Sequence, residues 1–69
     1  MKIVRIIERP TSPNERGEWV VYAQLMRGGV YQYGALLYKS LKDAMRAREG
    51  EHVDAVRVKF SRRTNNGVL

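Results

Sequence analysis

The feature that most limits how this 69-residue chain can fold is a pair of β-branched and aromatic runs on either side of two glycines. Trp19-Val20-Val21-Tyr22-Ala23-Gln24-Leu25-Met26 precedes Arg27-Gly28-Gly29, and Val30-Tyr31-Gln32-Tyr33-Gly34-Ala35-Leu36-Leu37 follows. Each glycine accepts the positive φ that a tight hairpin turn demands, so the runs predict two adjacent antiparallel strands. In the first strand Trp19, Val21, Ala23 and Leu25 share one side, which is wholly apolar and should face the core. Glu18, Val20, Tyr22, Gln24 and Met26 share the other. In the second strand Tyr31, Tyr33, Ala35 and Leu37 alternate with Val30, Gln32, Gly34 and Leu36. Neither set is cleanly polar, so the pattern does not decide which is buried.

Around this hairpin the remaining segments fall into place. Lys2 to Glu8 predicts a strand with Val4 and Ile6 on one face and Ile3 and Ile7 on the other. Two prolines, Asn14 and Gly17 then impose a loop over Arg9 to Gly17, long enough to be a mobile or contacting segment. Ser40 supplies a helix cap and Asp43 the matching first-turn acid, predicting a helix from Ser40 to Glu49. Leu41, Ala44, Met45 and Arg48 form its sheet-facing stripe, with Gly50 just past its end. Val53 to Phe60 alternates as a last strand, with Asp54, Val56, Val58 and Phe60 on one face. The order strand-strand-strand-helix-strand defines an α+β fold, a small antiparallel sheet of three to four strands with one helix packed on one face. Residues 1–60 make a single α+β domain, and residues 61–69 a flexible basic tail.

Composition narrows the function. No cysteine is present, which excludes disulfides and thiolate metal sites, and charge interrupts the N-terminal apolar run too early for a signal peptide or membrane span. A cytoplasmic protein without cofactor or metal is expected. His52 is the only histidine, and neither a nucleophile motif nor metal-ligand spacing of the acids accompanies it, so an enzyme is not expected. Thirteen Lys and Arg against seven Asp and Glu give a net charge of +6, which attracts polyanions. A sheet with a helix on one side leaves its other side for a partner. Arg5, Arg9, Arg16, Tyr22, Gln24, Arg27, Tyr31 and Tyr33 are the candidate contacts, the arginines holding phosphates and Gln, Arg and Tyr reading or stacking on bases.

The series Gly17-Glu18-Trp19-Val20-Val21-Tyr22, then Tyr33-Gly34, then Ser40-Leu41-Lys42-Asp43-Ala44-Met45-Arg46-Ala47 resembles the N-terminal arm-binding domains of tyrosine-recombinase integrases and plant ethylene-response-factor-type DNA-binding domains. The resemblance spans roughly Lys2 to Glu49. It implies a sheet entering the DNA major groove, with Arg5, Tyr22, Gln24 and Arg27 at base and phosphate contacts and Trp19 and Val21 in the core. Leu36-Leu37-Tyr38-Lys39 before the helix and the final strand depart from that pattern. The expected function is a small non-enzymatic nucleic-acid-binding protein of a phage or mobile element, docking on duplex DNA, with RNA as a related partner and single-strand binding through stacked tyrosines as a variant. The alternative is a protein-binding inhibitor or adaptor using a sheet edge, Val53 to Phe60 or Lys2 to Glu8, on a partner or as a homodimer.

Overall fold

A computed structural model of the chain describes residues 1–60; the basic tail expected at 61–69 lies outside the described residues. The elements in order are β1 (Lys2–Glu8), β2 (Trp19–Arg27), β3 (Val30–Tyr38), α1 (Leu41–Arg46), a 3-10 turn (Ala55–Arg57) and β4 (Val58–Phe60). The strands form one antiparallel sheet in the order β1-β2-β3-β4, with the helix between β3 and β4 packed on it. This is the α+β arrangement that the pattern predicts.

The hairpin forms as its glycines require. Arg27 pairs with Val30 across a two-residue loop in which Gly28 has φ 57° and Gly29 φ 78°. Positive φ at both central positions matches the right-handed twist of the flanking strands. Its register resolves the ambiguity of β3. Val21 pairs with Leu36, Ala23 with Gly34 and Trp19 with Tyr38, and paired residues of an antiparallel ladder share a face. Gly34, Leu36 and Tyr38 therefore face the core, while Tyr31, Tyr33, Ala35 and Leu37 face out.

The expected division of β1 is overturned. Two β-bulges interrupt its pairing, between Ile3 and Arg5 and between Ile6 and Glu8. Each bulge sets two residues against one and advances the face by one position. Ile3 and Ile6 consequently share the core side, opposite Leu25 and Ala23, whereas Ile7 is exposed. Lys2, Arg5 and Glu8 pair with Met26, Gln24 and Tyr22, so they stand on the outer face.

The helix is shorter than expected, ending at Arg46 rather than Glu49. Ser40 caps it as predicted, its Oγ accepting from the Asp43 amide at 3.2 Å. At the other end Ala47 is extended (ψ 131°), and the Arg9 guanidinium donates to the Ala44 and Ala47 carbonyls at 3.0 and 2.7 Å. Arg9 thus satisfies carbonyls that a helix end leaves orphaned. Of the anticipated stripe only Ala44 is buried. Leu41, Met45 and Arg48 are exposed, and Ala47 completes the contact. Two alanines three residues apart let so short a helix lie close to the sheet, where packing supplies the stability that six residues alone lack.

After the helix the chain turns at Arg48–Glu51, with Gly50 at φ 88°, and runs antiparallel to the start of β1. Ile3 donates to Glu51 and accepts from Gly50 at 2.8 and 2.7 Å, and Val53 donates to Met1 at 2.8 Å. Val58 then pairs with Leu36 on the opposite edge of the sheet. The strand expected from Val53 is therefore confined to Val58–Phe60, and Asp54 to Arg57 form a turn with Val56 93% exposed. Only residues 54–57 bridge the two edges, a reach of no more than about 18 Å. Both edges must therefore curl toward the helix side, around a core of Ile3, Val21, Ala23, Leu25, Leu36 and Tyr38 with Ala44 and Ala47.

Candidate nucleic-acid interface

The register places the outward side chains in three rows across the sheet. The first is Lys2–Met26–Tyr31, the second Arg5–Gln24–Tyr33, and the third Glu8–Tyr22–Ala35–Lys59. Strands lie about 4.8 Å apart, so Lys2 and Arg5 on β1 run along a line about 10 Å from Tyr31 and Tyr33 on β3. Gln24 and Met26 occupy the strip between them, and both are half-buried. The three tyrosines are open to solvent: Tyr22 is 49% exposed, Tyr31 58% and Tyr33 48%. Tyr22, opposite small Ala35, is the diagonal neighbour of Tyr33, which puts the three rings on one contiguous patch.

Electrostatically this face is graded along the strands. The rows nearest the hairpin turn carry Lys2 and Arg5 and no carboxylate, whereas Glu8 enters in the third row. Beyond it the loop closes in. Asn14 organises that loop, its Oδ1 accepting from the amides of Arg16 and Glu18, both at 2.9 Å. Its side-chain amide donates to Glu18 at 3.0 Å. The second half of a segment expected to be mobile or contacting is thus tied by one side chain forming an Asx turn. It borders a cleft of about 350 Å³ lined by Arg16 and Lys59 and by Glu15 and Glu18, beside Tyr22, Ala35 and Leu37.

The eight residues anticipated from sequence are divided by the fold. Arg5, Tyr22, Gln24, Tyr31 and Tyr33 come together on the outer face, and Arg16 stands at its loop-side rim. Arg9 does not join them, because both of its terminal nitrogens are engaged at the helix end. Nor does Arg27, whose guanidinium lies 5.5 Å from the Phe60 ring centroid, a cation–π contact with a residue that pairs on the core side. Lys2 and Lys59 belong to the face and were missed. Register alone assigns them, and neither bulges nor a three-residue strand leave a clear periodic trace.

A second concavity, about 380 Å³, lies on the helix side between Tyr38, Asp43, Arg46, Glu51, His52 and Arg57. Its charges are mixed, and Arg57 packs over the Tyr38 ring at 4.9 Å while donating to the Leu37 carbonyl at 3.3 Å. Burial, and secondarily Glu51, push the Tyr38 phenol above its ordinary pKa, and its hydroxyl has no hydrogen-bond partner among the described residues. Among those residues no cluster of His, Asp and Glu suits a metal ion, and no helix is long and apolar enough to cross a membrane. His52 is used through its backbone, in a bridge to Lys2.

Fold and surface together define the class: a small α+β protein whose four-stranded sheet is sealed by a short helix on one side and presents tyrosines and cations on the other. No family model matches the chain, and no curated protein or solved structure matches it either.

Proposed function

We propose that this is a small, non-enzymatic nucleic-acid-binding protein that docks the outer face of its sheet on DNA. What supports the reading is the pairing of Lys2 and Arg5 along one line with Tyr31 and Tyr33 along another, in rows free of carboxylate. Basic side chains neutralise phosphates and fix position, while Gln24 and the tyrosines meet bases. The net charge of +6 steers a polyanion toward so small a surface. The resemblance to integrase arm-binding and ethylene-response-factor-type domains points to the same partner, and a role as a phage or mobile-element accessory factor is part of the proposal. Pairing of a partner protein along β1 is less well supported. The edge of that strand is hydrogen-bonded to residues 50–53 at its start and bulged twice thereafter, features that shield an edge.

Fluorescence anisotropy of a labelled oligonucleotide tests the reading. If Lys2 and Arg5 each displace a counterion, the logarithm of the binding constant should fall against that of salt with a slope of about −1.4 to −1.8. An affinity indifferent to salt, or no binding at low salt, overturns the proposal.

A further inference from the structure

We infer that the polynucleotide held on this face is single-stranded, its bases stacked on Tyr33, Tyr31 and Tyr22 and its phosphates along Lys2 and Arg5. The inference rests on the nucleic-acid reading above and chooses, between the duplex form and the single-strand variant anticipated from sequence, the single strand.

Reading a duplex groove calls for long polar side chains that reach base edges. Two of the guanidiniums expected to supply them are committed elsewhere, Arg9 to the Ala44 and Ala47 carbonyls and Arg27 to the Phe60 ring. What remains is aromatic. Three tyrosine rings, each about half exposed, share one patch, with Gln24 as the adjoining base-edge reader. In a duplex the flat face of each base is covered by its neighbours, so a tyrosine ring finds only edges and backbone. In a single strand those faces are free, and stacking on them needs no particular sequence.

Spacing agrees. Tyr31 and Tyr33 are alternate residues of one strand, about 6.8 Å apart, twice the 3.4 Å advance per nucleotide of a strand held in a duplex. Successive bases can therefore meet successive rings only if the strand is extended beyond its duplex form. Lys2 and Arg5 follow the same direction on β1, one bulge apart, beside the rows of Tyr31 and Tyr33. A strand laid along β2 thus has a cationic line on one flank and an aromatic line on the other. Glu8 in the third row repels phosphate, so the backbone path runs toward the hairpin turn and bases alone extend to Tyr22. Charge complementarity sets the orientation, and the rings set the strandedness.

The experiment compares an oligothymidine of about twelve nucleotides with a mixed-sequence duplex of the same length by anisotropy at low salt. The expected result is tighter binding of the oligothymidine by about tenfold or more. Tyr33→Ala should weaken oligothymidine binding by about 5- to 150-fold and change duplex binding little, with Tyr33→Phe, which keeps the ring, close to wild type. Arg5→Ala should weaken both. Trp19 fluorescence and circular dichroism verify that each variant is folded. Duplex affinity equal to or above that of oligothymidine, or a folded Tyr33→Ala protein with oligothymidine affinity unchanged, overturns the inference while salt-dependent binding keeps the broader reading. Failure of both probes to bind at low salt removes the two together.

Discussion

Arg9 and Tyr38 show how far a side chain's role depends on what surrounds it. A surface arginine between a strand and a proline-rich loop looks available to a ligand, yet here it donates two hydrogen bonds to helix-end carbonyls. Charged hydrogen bonds of this kind contribute about 2 kcal/mol, so Arg9→Ala should lower Tm by roughly 10 °C in thermal unfolding. Loss of oligonucleotide affinity by a folded Arg9→Ala protein, with Tm unchanged, would return Arg9 to the binding face. Tyr38 is 6% exposed, and its hydroxyl is unpartnered among the described residues. Removing a buried hydroxyl that makes no hydrogen bond should be neutral or stabilising, by up to about 1 kcal/mol, so Tyr38→Phe is expected to hold or raise the denaturation midpoint. Because the folded-state pKa of Tyr38 is raised, the unfolded chain loses that proton first. Stability should fall as pH climbs from the ordinary tyrosine value near 10 toward the raised one, and urea titrations across that range should show a shallower decline in Tyr38→Phe.

At the level of elements, the seam between β3 and β4 depends on a missing side chain. Gly34 lies between Ala23 and Phe60 on the core face, and a Cβ built there would stand 3.0 Å from both Leu25 Cδ1 and Val58 Cγ1 and 3.4 Å from the Lys59 carbonyl oxygen. Its φ is negative, so the constraint is space and not backbone geometry. Gly34→Val would overfill the site and push β4 from the sheet, at a cost of about 1–3 kcal/mol measurable by chemical denaturation. Amide exchange should accelerate first in Val58 to Phe60, the three-residue strand most dependent on that contact. The helix shows the converse use of small residues, since Ala44 and Ala47 let a six-residue element seat closely enough to be useful.

Across the whole molecule the cations are shared between two sides. Lys2, Arg5 and Lys59 stand on the outer sheet face with Glu8, and Arg16 at its rim beside Glu15 and Glu18, whereas Arg46 and Arg57 line the helix-side cleft with Asp43, Glu51 and Asp54. Convergence of the arginines on one face, expected from the strand pattern, is thus replaced by a smaller acid-free patch near the hairpin turn. Its charge acts beside exposed rings, so position distinguishes the two sides more than amount. The curl of the sheet follows from the same connectivity: the chain spends residues 50–53 on one edge and Val58–Phe60 on the other.

The hairpin, the helix cap at Ser40 and the apolar set of β2 were legible because each depends on neighbours in sequence: glycine conformational freedom, a hydroxyl three residues from an amide, and a clean alternation of period two. By itself the sequence determined the α+β class and the order of elements on those grounds. The outward side of β3, the bulges of β1 and the end of the helix were settled only in the tertiary structure. Both alternating sets of β3 carry apolar residues, a bulge reverses faces without leaving a periodic signal, and the helix stops where Arg9, 35 residues before Ala44, reaches its carbonyls. Sequence therefore named candidate residues but not which of them share the outer face, because which residues stand side by side depends on pairing between distant strands.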